Sequence, residues 1–585
     1  MKAISSWNTL KKLWPRIHQF KRRLLAGLAL IVITTTLDLM GPLLIGKAAD
    51  VVVASKPQWR ELLYVCLAFL LVITGKAISE MLQAYTIQTT GLLITQQLRL
   101  QVFDRIVRLP LTFFDHQSSG RLITRVINDV RSLSELFTAS MSVLALDVMV
   151  IFGTMIAMVL LDWKLGLLVL LTFPGVIWAI QYFGKKLSEA YREARNRLSE
   201  INGFLGENIA AMATIHRLGA QAERKATFDG IVSHHQEALM HSIEAYAQVQ
   251  PWANVLNGIS MATLLGVGGW WVIRGELSVG VLVAFLAYIR NLFQPIRDLV
   301  EKYNVVLSAL VSAERVAHIF EEAPENPALG KIHAEHIPKP CGLTFEEVSF
   351  TYKGRKEKAL DGVSFQLEPG KSLAIVGATG SGKSTLARLL LKFYEIESGK
   401  IVLGNSSLED WPQNLLRRHV GFIPQDVYLF EGTVRDNLIL SQTPPSDAWL
   451  IEQCKKVHVW DFISGRGGLD LAIQEGGHNL SLGERQLLAF ARTLVLNPEI
   501  LILDEATAHL DTAIETRLMD AIQELLKGRT SLIIAHRLST IEKCDQVLVM
   551  EQGKVEEFGT IQELIQKKGL FEKFYRLYQE GGRTA

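Results

Sequence analysis

The sequence predicts two domains of different fold class: an α-helical membrane domain of six spans with long cytoplasmic helical extensions, followed by an α/β domain with a phosphate-binding loop. Long apolar runs recur through the first half, whereas from about Cys341 onward the sequence reads as an ordinary soluble α/β protein. The chain has 585 residues, and single cores rarely grow beyond about 250–300 residues. We therefore expect a membrane domain over residues 1–325, a linker over 326–340 and an α/β domain over 341–585.

Charge and cysteine content argue against nucleic-acid binding and against a disulfide or metal framework. The formal net charge of +2 gives no overall attraction to nucleic acid, so we expect no nucleic-acid partner. The four cysteines show neither CxxC nor metal-ligand spacing. We expect them to stay reduced and packed, as suits a chain that faces the cytosol.

Six apolar segments have the length of a membrane-spanning helix, which needs about 20 mostly apolar residues. They are too long and too nearly free of charge for helices of a soluble core, and six are more than a soluble core of this size uses. We therefore predict six spans, over Leu24–Gly46, Leu62–Leu82, Ala139–Leu161, Leu165–Phe183, Trp252–Ile273 and Leu277–Pro295.

Basic residues indicate how the spans are oriented. They concentrate in the N-terminal tail and in the long connections after the second and fourth spans, whereas the connections after the third and fifth spans are short. Because positive residues mark the cytoplasmic side, we predict that both termini, both long connections and the α/β domain are cytoplasmic. The long connections are largely helical by pattern, with turns near Pro110 and Gly120 in the first and near Gly219 in the second.

Five charged residues fall within or near the predicted spans: Asp38, Lys76, Glu80, Asp147 and Arg290. Charge inside a membrane usually faces a wet cavity or a partner, so these residues are candidates for a transport path. Alternatively, Lys76 and Glu80, one helical turn apart, pair with each other, and Arg290 lies near the cytoplasmic end of its span. The sequence leaves both interpretations open and identifies no substrate.

A phosphate-binding loop is predicted in the second half. The strand pattern Ser372–Val376 runs directly into Gly-Ala-Thr-Gly-Ser-Gly-Lys-Ser-Thr, and a helix pattern follows. The glycines let backbone N–H groups turn inward around phosphates, which the positive end of the helix dipole also favours. We expect Lys383 to reach the β- and γ-phosphates and Ser384 to offer its hydroxyl to Mg²⁺. The predicted nucleotide-binding residues of this loop are Gly377, Thr379, Gly380, Ser381, Gly382, Lys383, Ser384 and Thr385.

Two further strand patterns end in side chains aimed at the same site. The strand pattern Ile500–Leu503 runs into Asp504 and Glu505. Another, Ser531–Ala535, runs into His536. Carboxyl ends of parallel strands meet at one edge of a sheet, here beside the phosphate-binding loop. We expect Asp504 to hold Mg²⁺ through water, Glu505 to polarise the attacking water as the catalytic base, and His536 to sense the γ-phosphate. Together these residues predict a P-loop ATPase that uses ATP and Mg²⁺.

The segment Asn479–Gln486, Asn-Leu-Ser-Leu-Gly-Glu-Arg-Gln, resembles the LSGGQ signature of ABC ATPases. Gln425 looks like the Q-loop glutamine of that family, and Tyr352 stands where the family stacks an aromatic ring on adenine. Asp511 is similar to the D-loop aspartate, and Glu475 to the glutamate that precedes the signature in exporters. The resemblance implies that Gln425 takes part in catalysis and binds Mg²⁺, and that Tyr352 and Asp511 belong to the nucleotide site.

The membrane half is similar to exporter-type half-transporters of the same family. The similar segments are Arg121–Asp129, Ser278–Arg297 and Ser312–Arg315, and the resemblance extends from about residue 15 to 580. It implies a head-to-tail dimer, in which each ATP is held by the P-loop of one subunit and by Ser481 and Gly483 of the other. One chain alone would then hold half of each composite site.

This resemblance implies ATP-driven export or flipping of amphipathic substrates, such as drugs, lipids or hydrophobic peptides, by alternating access. Segments near Thr112–Gly120 and Met212–Gly219 would couple the two domains. Because no eukaryotic sorting segment or glycosylation-rich extension is present, we expect a multi-pass protein of a bacterial inner membrane. One alternative is an ATP-gated regulatory or channel-like membrane protein, although the intact Glu505 counts against a slow switch.

The signature departs from the family pattern at two positions. Leu482 replaces the usual glycine and Glu484 the usual glutamine. Some exporters pair two different subunits, one with an altered motif, so this chain is either one half of a homodimer or the catalytic subunit of a heterodimer. Ser481 and Gly483, which would approach phosphate, are retained. We therefore prefer the homodimer.

Overall fold

The structure, a computed structural model, describes residues 12–54, 58–136, 138, 141–171, 173–325, 332, 341–439, 445–504, 512–535 and 537–581. The chain divides into two compact units. The first comprises Met1–Arg108 and Gln117–Ala323, and the second comprises Leu109–His116 and Pro324–Ala585. The short segment Leu109–His116 thus belongs with the second unit, although the residues on both sides of it in sequence lie in the first.

The described part of the first unit is helical. Its helices, together with the short α3 of the second unit, are α1 (Lys21–Val53), α2 (Trp59–Val107), α3 (Leu111–Phe114), α4 (Ser119–Thr124), α5 (Val130–Glu135), α6 (Met141–Leu161), α7 (Trp163–Leu170), α8 (Phe173–Ala210), α9 (Met212–Leu218), α10 (Gln221–Thr263), α11 (Gly269–Ile273) and α12 (Val279–Glu321). Wider π-helical turns, Arg125–Asp129 and Leu264–Gly268, connect α4 to α5 and α10 to α11.

Four helices of the described residues are long and apolar enough to cross a membrane. They are Lys12–Val53, Trp59–Val107, Leu144–Leu161 and Asn254–Ile273. Each overlaps one of the six predicted spans. The predicted fourth span falls on α7 and the start of α8, and the sixth contains the shorter apolar helix Val279–Leu292. The prediction of a membrane region with long helices is confirmed, whereas the count of six spans stays a prediction.

Several helices are much longer than a membrane crossing requires. Helix α2 has 49 residues and α10 has 43, which correspond to about 74 Å and 65 Å at 1.5 Å per residue. Helices α8 and α10 lie against each other and are connected through the short α9, whose last residue is followed by Gly219 in the left-handed region (φ 64°). Glycine adopts that conformation without the steric cost of a Cβ atom, so the helix ends there.

Helices α1 and α12 touch backbone to backbone at a pair of glycines. A Cβ atom on Gly46 would lie 2.4 Å from the carbonyl oxygen of Gly280, and one on Gly280 would lie 2.1 Å from that of Gly46. One turn away, Asp50 accepts hydrogen bonds from the backbone N–H of Gly280 (2.6 Å) and from the hydroxyl of Ser278 (3.0 Å). Small residues permit this approach, and the carboxylate fixes the register of the two helices.

The second unit contains two main sheets. A four-stranded antiparallel sheet has the order β2-β1-β4-β5, and a six-stranded sheet has the order β12-β11-β3-β10-β9-β6. The strands are β1 (Leu343–Phe350), β2 (Leu360–Leu367), β3 (Ser372–Gly377), β4 (Ser398–Leu403), β5 (Ser406–Ser407), β6 (Val420–Ile423), β7 (Gly432–Thr433), β8 (Ala472–Ile473), β9 (Ile500–Asp504), β10 (Thr530–Ile534), β11 (Gln546–Glu551) and β12 (Lys554–Gly559). Strands β11, β3, β10, β9 and β6 are parallel neighbours. Their carboxyl ends therefore share one edge.

Helices cover this sheet on both faces. They are α13 (Lys383–Leu390), α14 (Gln413–His419), α15 (Val434–Leu438), α16 (Asp447–Lys456), α17 (Val459–Ile463), α18 (Leu482–Leu496), α19 (Thr512–Leu526), α20 (Leu538–Ile541), α21 (Ile561–Lys567) and α22 (Leu570–Gly581). Successive residues of β3 point to opposite faces, so Ala374 and Val376 join one apolar core while Leu373 and Ile375 join the other. Burial on both faces explains why the strand reads as an unbroken apolar run. The predicted α/β domain is confirmed.

Candidate nucleotide site

The glycine-rich loop after β3 takes the backbone conformation that the sequence predicts. Gly377 has φ 153° and Gly382 has φ 102°, a region that side-chain-bearing residues rarely adopt. A Cβ atom would lie 2.2 Å from the carbonyl oxygen of Met550 at Gly377, and 2.6 Å from that of Ala359 at Gly382. Both positions therefore require glycine for space as well as for conformation. Helix α13 begins directly after Gly382, so its N-terminus faces the centre of the loop.

Two side chains of the first turn of α13 point into the loop and toward β9. The Lys383 ammonium donates to the carbonyl oxygens of Gly377 and Ala378, both at 2.8 Å. Burial lowers the pKa of Lys383, and the nearby carboxylate of Asp504 partly opposes this effect. The Ser384 hydroxyl donates to Asp504 at 3.3 Å. The parallel pairing of β3, β10 and β9 thus brings together residues that lie more than a hundred positions apart in sequence.

These groups line a cavity of about 530 Å³. Its walls are formed by Tyr352, Arg355, Lys356, Glu357, Lys358, Ala359, Thr379, Gly380, Gly382, Lys383, Ser384, Thr385, Gln425 and Asp504. Ligand sites usually have volumes of about 300–1,000 Å³, so the cavity is large enough for a nucleotide. The basic residues Arg355, Lys356 and Lys358, together with Lys383, favour a polyanion. Nine of the residues predicted for the nucleotide and metal site line this one cavity.

The donor set also fits Mg²⁺. The hydroxyl of Ser384, the amide of Gln425 and the carboxylate of Asp504 all line the cavity, and oxygen atoms are the ligands that Mg²⁺ prefers. Among the described residues no group of three or more histidine, cysteine or acidic side chains is placed to hold a metal. Mg²⁺ usually takes one or two protein carboxylates and completes its shell with phosphate oxygens and water, so the donor set of Ser384, Gln425 and Asp504 is sufficient for it.

Tyr352 lies on one wall of the cavity and is half-buried. Its hydroxyl lies 3.2 Å from the hydroxyl of Thr385 and accepts a hydrogen bond from Arg388 at 3.4 Å. Its ring meets those of Phe350 and Tyr394 edge to face, with centroids 4.9 Å and 5.2 Å apart. These contacts fix the ring beside the phosphate-binding loop. A planar base stacked on such a ring gains apolar contact without ordering a flexible side chain.

Comparisons with known proteins support a nucleotide-binding role for this site. Residues 24–296 match the family described as ABC transporter transmembrane region, and residues 360–508 match the family described as ABC transporter. The uncharacterized ABC transporter ATP-binding protein YfiC of Bacillus subtilis is 31% identical over 98% of this chain and 95% of its own length. The chain belongs to the ABC transporter family.

Two further comparisons describe which part of the family this ABC transporter resembles. The ATP-dependent lipid A-core flippase of Chromobacterium violaceum is 33% identical over 88% of each chain. The structure of a bacterial Atm1-family ABC exporter with ATP bound superposes with a TM-score of 0.78 at 26% identity, covering 97% of this chain and 99% of that one. The protein is therefore an exporter-type half-transporter, a multi-pass membrane ATPase whose transport is driven by ATP, and a half-transporter functions as a dimer.

The signature segment of this ABC transporter lies outside the cavity. Ser481 precedes α18 and closes a capping box with Glu484: the Ser481 N–H donates to the Glu484 carboxylate (2.8 Å), and the Glu484 N–H donates to the Ser481 hydroxyl (3.2 Å). Gly483 is buried, and a Cβ atom there would lie 2.2 Å from the side chain of Ile514. Leu482 is exposed. The replacement of glutamine by Glu484 therefore preserves the start of the helix, a role that sequence reasoning missed although the Ser-x-x-Glu pattern signals it.

A second missed residue is Tyr394, which links the ATPase domain of the transporter to the segment Leu109–His116. Within the second unit, the Tyr394 hydroxyl donates to the carboxylate of Asp115 at 2.6 Å. Burial and the hydrogen bond to Asp115 raise the pKa of Tyr394 well above its usual range. Phe113, two residues before Asp115, is buried. No local pattern marks this pair, because its members lie 279 positions apart.

Three predicted site residues, Glu505, Asp511 and His536, lie outside the described residues. Their neighbours Asp504 and Ala535 lie at the carboxyl ends of β9 and β10, at the sheet edge that carries the phosphate-binding loop. The roles assigned to all three stay predictions.

Proposed function

We propose that this ABC transporter exports or flips amphipathic molecules across a bacterial inner membrane, as a homodimer that alternates between inward-facing and outward-facing states. The main support for this proposal is the cavity lined by Lys383, Ser384, Gln425 and Asp504. It occurs in a chain whose helices are long and apolar enough to cross a membrane. A relative named as a lipid A-core flippase supports an amphipathic substrate, because a lipid has a polar head and apolar chains, and a relative named as a putative multidrug exporter supports export.

In the proposed reaction each ATP is held between two subunits. Lys383 binds the β- and γ-phosphates of ATP, and the rigid ring of Tyr352 stacks on its adenine. Ser384, Gln425 and Asp504 hold Mg²⁺, which neutralises phosphate charge when bound. Glu505 takes a proton from the attacking water, and His536 hydrogen-bonds the γ-phosphate. Ser481 and Gly483 of the other subunit, together with Asp511, complete the site. This arrangement explains why Ser481 and Gly483 do not line the cavity of their own chain.

The orientation follows from the distribution of basic residues. With both termini and the ATPase domain in the cytoplasm, ATP binding draws the cytoplasmic ends of the helices together, and hydrolysis resets the inward-facing state. Segment Leu109–His116 provides one mechanical connection, through Tyr394 and Asp115.

Reconstitution tests the proposal. The purified chain is placed in vesicles, and ATP-dependent movement of a fluorescent phospholipid and of an amphipathic dye is measured together with ATP turnover. We expect movement only with ATP and Mg²⁺. ATP turnover that is unchanged by any of many candidate substrates and moves none of them would contradict export and favour a regulatory ATPase.

The Glu505→Gln variant tests the chemical step. We expect it to bind ATP normally but to hydrolyse it at least about a hundredfold more slowly, because an amide does not act as a general base. Such a variant should accumulate ATP-bound closed dimers, which are measured by nucleotide retention after gel filtration. Hydrolysis at the parental rate would show that Glu505 is not the base.

The preserved capping box at Ser481 favours the homodimer over the heterodimer, because the altered signature keeps its helical start. Expression of this chain alone, followed by measurement of the mass of the complex in detergent, distinguishes a homodimer from a heterodimer. We expect an active dimer of identical chains. An inactive monomer that gains activity with a second gene product would favour the heterodimer.

A further inference from the structure

A carboxylate just beyond the end of α12, that of Glu325, is held by two side chains of α14. The Arg417 guanidinium donates to both oxygens of this carboxylate, at 2.7 Å and 2.9 Å, and the Gln413 amide donates to it at 2.7 Å. The Glu325 side chain is 22% exposed and that of Arg417 is 34% exposed. Paired hydrogen bonds between partly buried opposite charges are stronger and more directional than an ordinary surface ion pair. We call these three residues the Glu325 clamp.

The two partners of Glu325 are themselves fixed within the second unit. The Arg417 guanidinium lies over the ring of Phe393, with its carbon atom 5.1 Å from the ring centroid. The Gln413 amide also donates to the carbonyl oxygen of Lys392 at 3.1 Å. Glu325 thus meets side chains that are already held in place, so its contact orders few flexible groups.

The end of α12 is held separately, within the membrane unit. Arg105 of α2 donates to the carbonyl oxygens of Phe320 at 3.0 Å and of Glu322 at 2.6 Å. The guanidinium of Arg16 lies 3.6 Å from the centroid of the Phe320 ring. The last carbonyl groups of a helix have no partner within it, and positive charge there is favourable to the helix dipole. These contacts therefore fix the end of α12 against α2.

The connection between the two fixed points is short and stiff. Only Ala323 and Pro324 lie between Glu322, which Arg105 holds, and Glu325. Three Cα–Cα steps span at most about 11 Å. Proline fixes its own φ and restricts the residue before it, so this connection has little slack.

Helix α14 leads directly to a residue of the nucleotide cavity. It runs into β6 without an intervening residue, and Gln425 is the second residue after β6. Among the described residues β6 is the last strand of its sheet and pairs with β9 on one side. An edge strand has no hydrogen-bonded neighbour on its other side, so its position also depends on the helix before it. Gln425 lines the cavity together with Ser384 and Asp504.

We infer that Glu325 is a positioning residue for ATP hydrolysis. Through Arg417 it ties the end of α12 to α14 and β6, and it thereby sets the position from which the Gln425 amide binds Mg²⁺. The inference rests on the role of Gln425 in the proposed function and adds a route along the chain from a membrane helix to the metal side of the site. This route is separate from the hydrogen bond between Tyr394 and Asp115.

The test measures metal affinity without turnover. The full-length protein in detergent is loaded with the non-hydrolysable ATP analogue AMP-PNP and titrated with Mn²⁺, a paramagnetic substitute for Mg²⁺, whose free concentration is read by electron paramagnetic resonance. We expect Glu325→Gln to weaken Mn²⁺ binding at least about threefold, a part of the roughly tenfold change that one lost charge-assisted hydrogen bond corresponds to. The affinity for AMP-PNP without metal should not change, because Lys383 and Tyr352 are untouched.

Three companion variants locate the effect, and gel filtration checks that each variant folds. Arg417→Lys keeps the charge but not the paired hydrogen bonds, so it should weaken Mn²⁺ binding by a smaller factor, and it carries the test if Glu325→Gln does not fold. Gln425→Ala should weaken Mn²⁺ binding at least as much as Glu325→Gln. Glu572→Gln is the matched control, since it removes a carboxylate that is 14% exposed and pairs with Arg576 within α22. It should leave Mn²⁺ binding unchanged.

An insertion tests the connection to α12. Two glycines placed between Ala323 and Pro324 leave the Glu325 clamp intact but slacken the chain that ties it to α12. Mn²⁺ binding should weaken by a smaller factor than in Glu325→Gln. An unchanged affinity would overturn the connection to α12.

Two further results overturn the inference: Mn²⁺ binding by Glu325→Gln that equals the parental affinity, or an equal loss in Glu572→Gln, which would show general destabilisation. Failure of the proposed role of Gln425 gives a different result, namely a Gln425→Ala variant that binds Mn²⁺ as tightly as the parental protein. The two failures are therefore distinguished by which variant keeps its metal affinity.

Discussion

Ser481 and Glu484 satisfy two backbone N–H groups at the start of α18 that have no partner within the helix. Glu484 also lies 3.2 Å from Arg466, whose side chain is exposed, so this ion pair adds little to stability and the capping contacts are the main role of Glu484. At the scale of single residues, the altered signature is therefore a change of charge beside the predicted phosphate-binding serine, with the local structure maintained.

This geometry makes a prediction that separates charge from capping. Glu484→Ala should destabilise the second unit by about 1 kcal/mol and lower ATP turnover, because the Ser481 N–H loses its acceptor. Glu484→Gln should retain both properties, because glutamine closes the same box. Turnover and thermal unfolding of the full-length protein are measured.

The matched control is Glu563→Ala at the start of α21, where Thr560 and Glu563 form the same kind of box away from the nucleotide cavity. It should reduce thermal stability without lowering ATP turnover. Equal loss of turnover in both alanine variants would show that general destabilisation, rather than the position of Ser481, is responsible.

At the scale of elements, the hydrogen bond between Tyr394 and Asp115 connects the strand-rich ATPase domain to the residue that directly follows α3. Tyr394→Phe keeps the ring that packs against Tyr352 and removes only the hydroxyl. We expect ATP turnover to persist while the number of substrate molecules moved per ATP falls by about fivefold, the factor that corresponds to one lost hydrogen bond of about 1 kcal/mol. Turnover and transport are measured in the same vesicles.

Tyr575→Phe is the matched control, since it removes a hydroxyl that donates to Glu542 at 3.0 Å on the surface. It should leave the transport ratio unchanged. The pH dependence follows from the raised pKa of Tyr394: its bond is fully present below the ordinary phenol pKa of about 10 and is lost only as the pH rises beyond that value. Coupling should therefore not change between pH 6 and 9 through this residue.

The glycine contact of α1 and α12 gives a second prediction at this scale. Gly46→Ala should destabilise the membrane unit by about 1–3 kcal/mol, because its Cβ would meet a backbone oxygen that has no room to move. Gly41→Ala, on the same helix, meets nothing within 4 Å and should be tolerated. Melting in detergent measures both, and equal melting temperatures would contradict the close contact.

At the scale of the whole molecule, the sequence predicts what depends on local pattern. Apolar length indicates the membrane helices, and the spacing of Gly377, Gly382 and Lys383 predicts a loop that the structure reproduces. Strand endings predict the meeting of Ser384 and Asp504, because parallel topology fixes which edge they share.

Other contacts leave no local pattern in the sequence. Lys76 pairs with Asp38 across two helices, Gly46 meets Gly280 between α1 and α12, and Tyr394 reaches Asp115. Each depends on how distant elements pack, which is decided by the complementarity of whole surfaces rather than by the residue types at one position.

The composite site predicts how two defective chains behave together. Lys383→Ala removes the phosphate-binding ammonium from one chain, and Ser481→Arg blocks the surface that the chain presents to its partner. Each variant alone should be inactive, because both sites of its dimer carry the same defect. A dimer of the two variants contains one intact site, formed by the P-loop of the Ser481→Arg chain and the signature of the Lys383→Ala chain.

Random assortment makes half of the dimers mixed, so about a quarter of all sites should recover. Tags on each chain allow the mixed dimer to be purified and its ATP turnover measured. If the purified mixed dimer were as inactive as its parents, each chain would have to complete its own site, and the head-to-tail arrangement would be wrong.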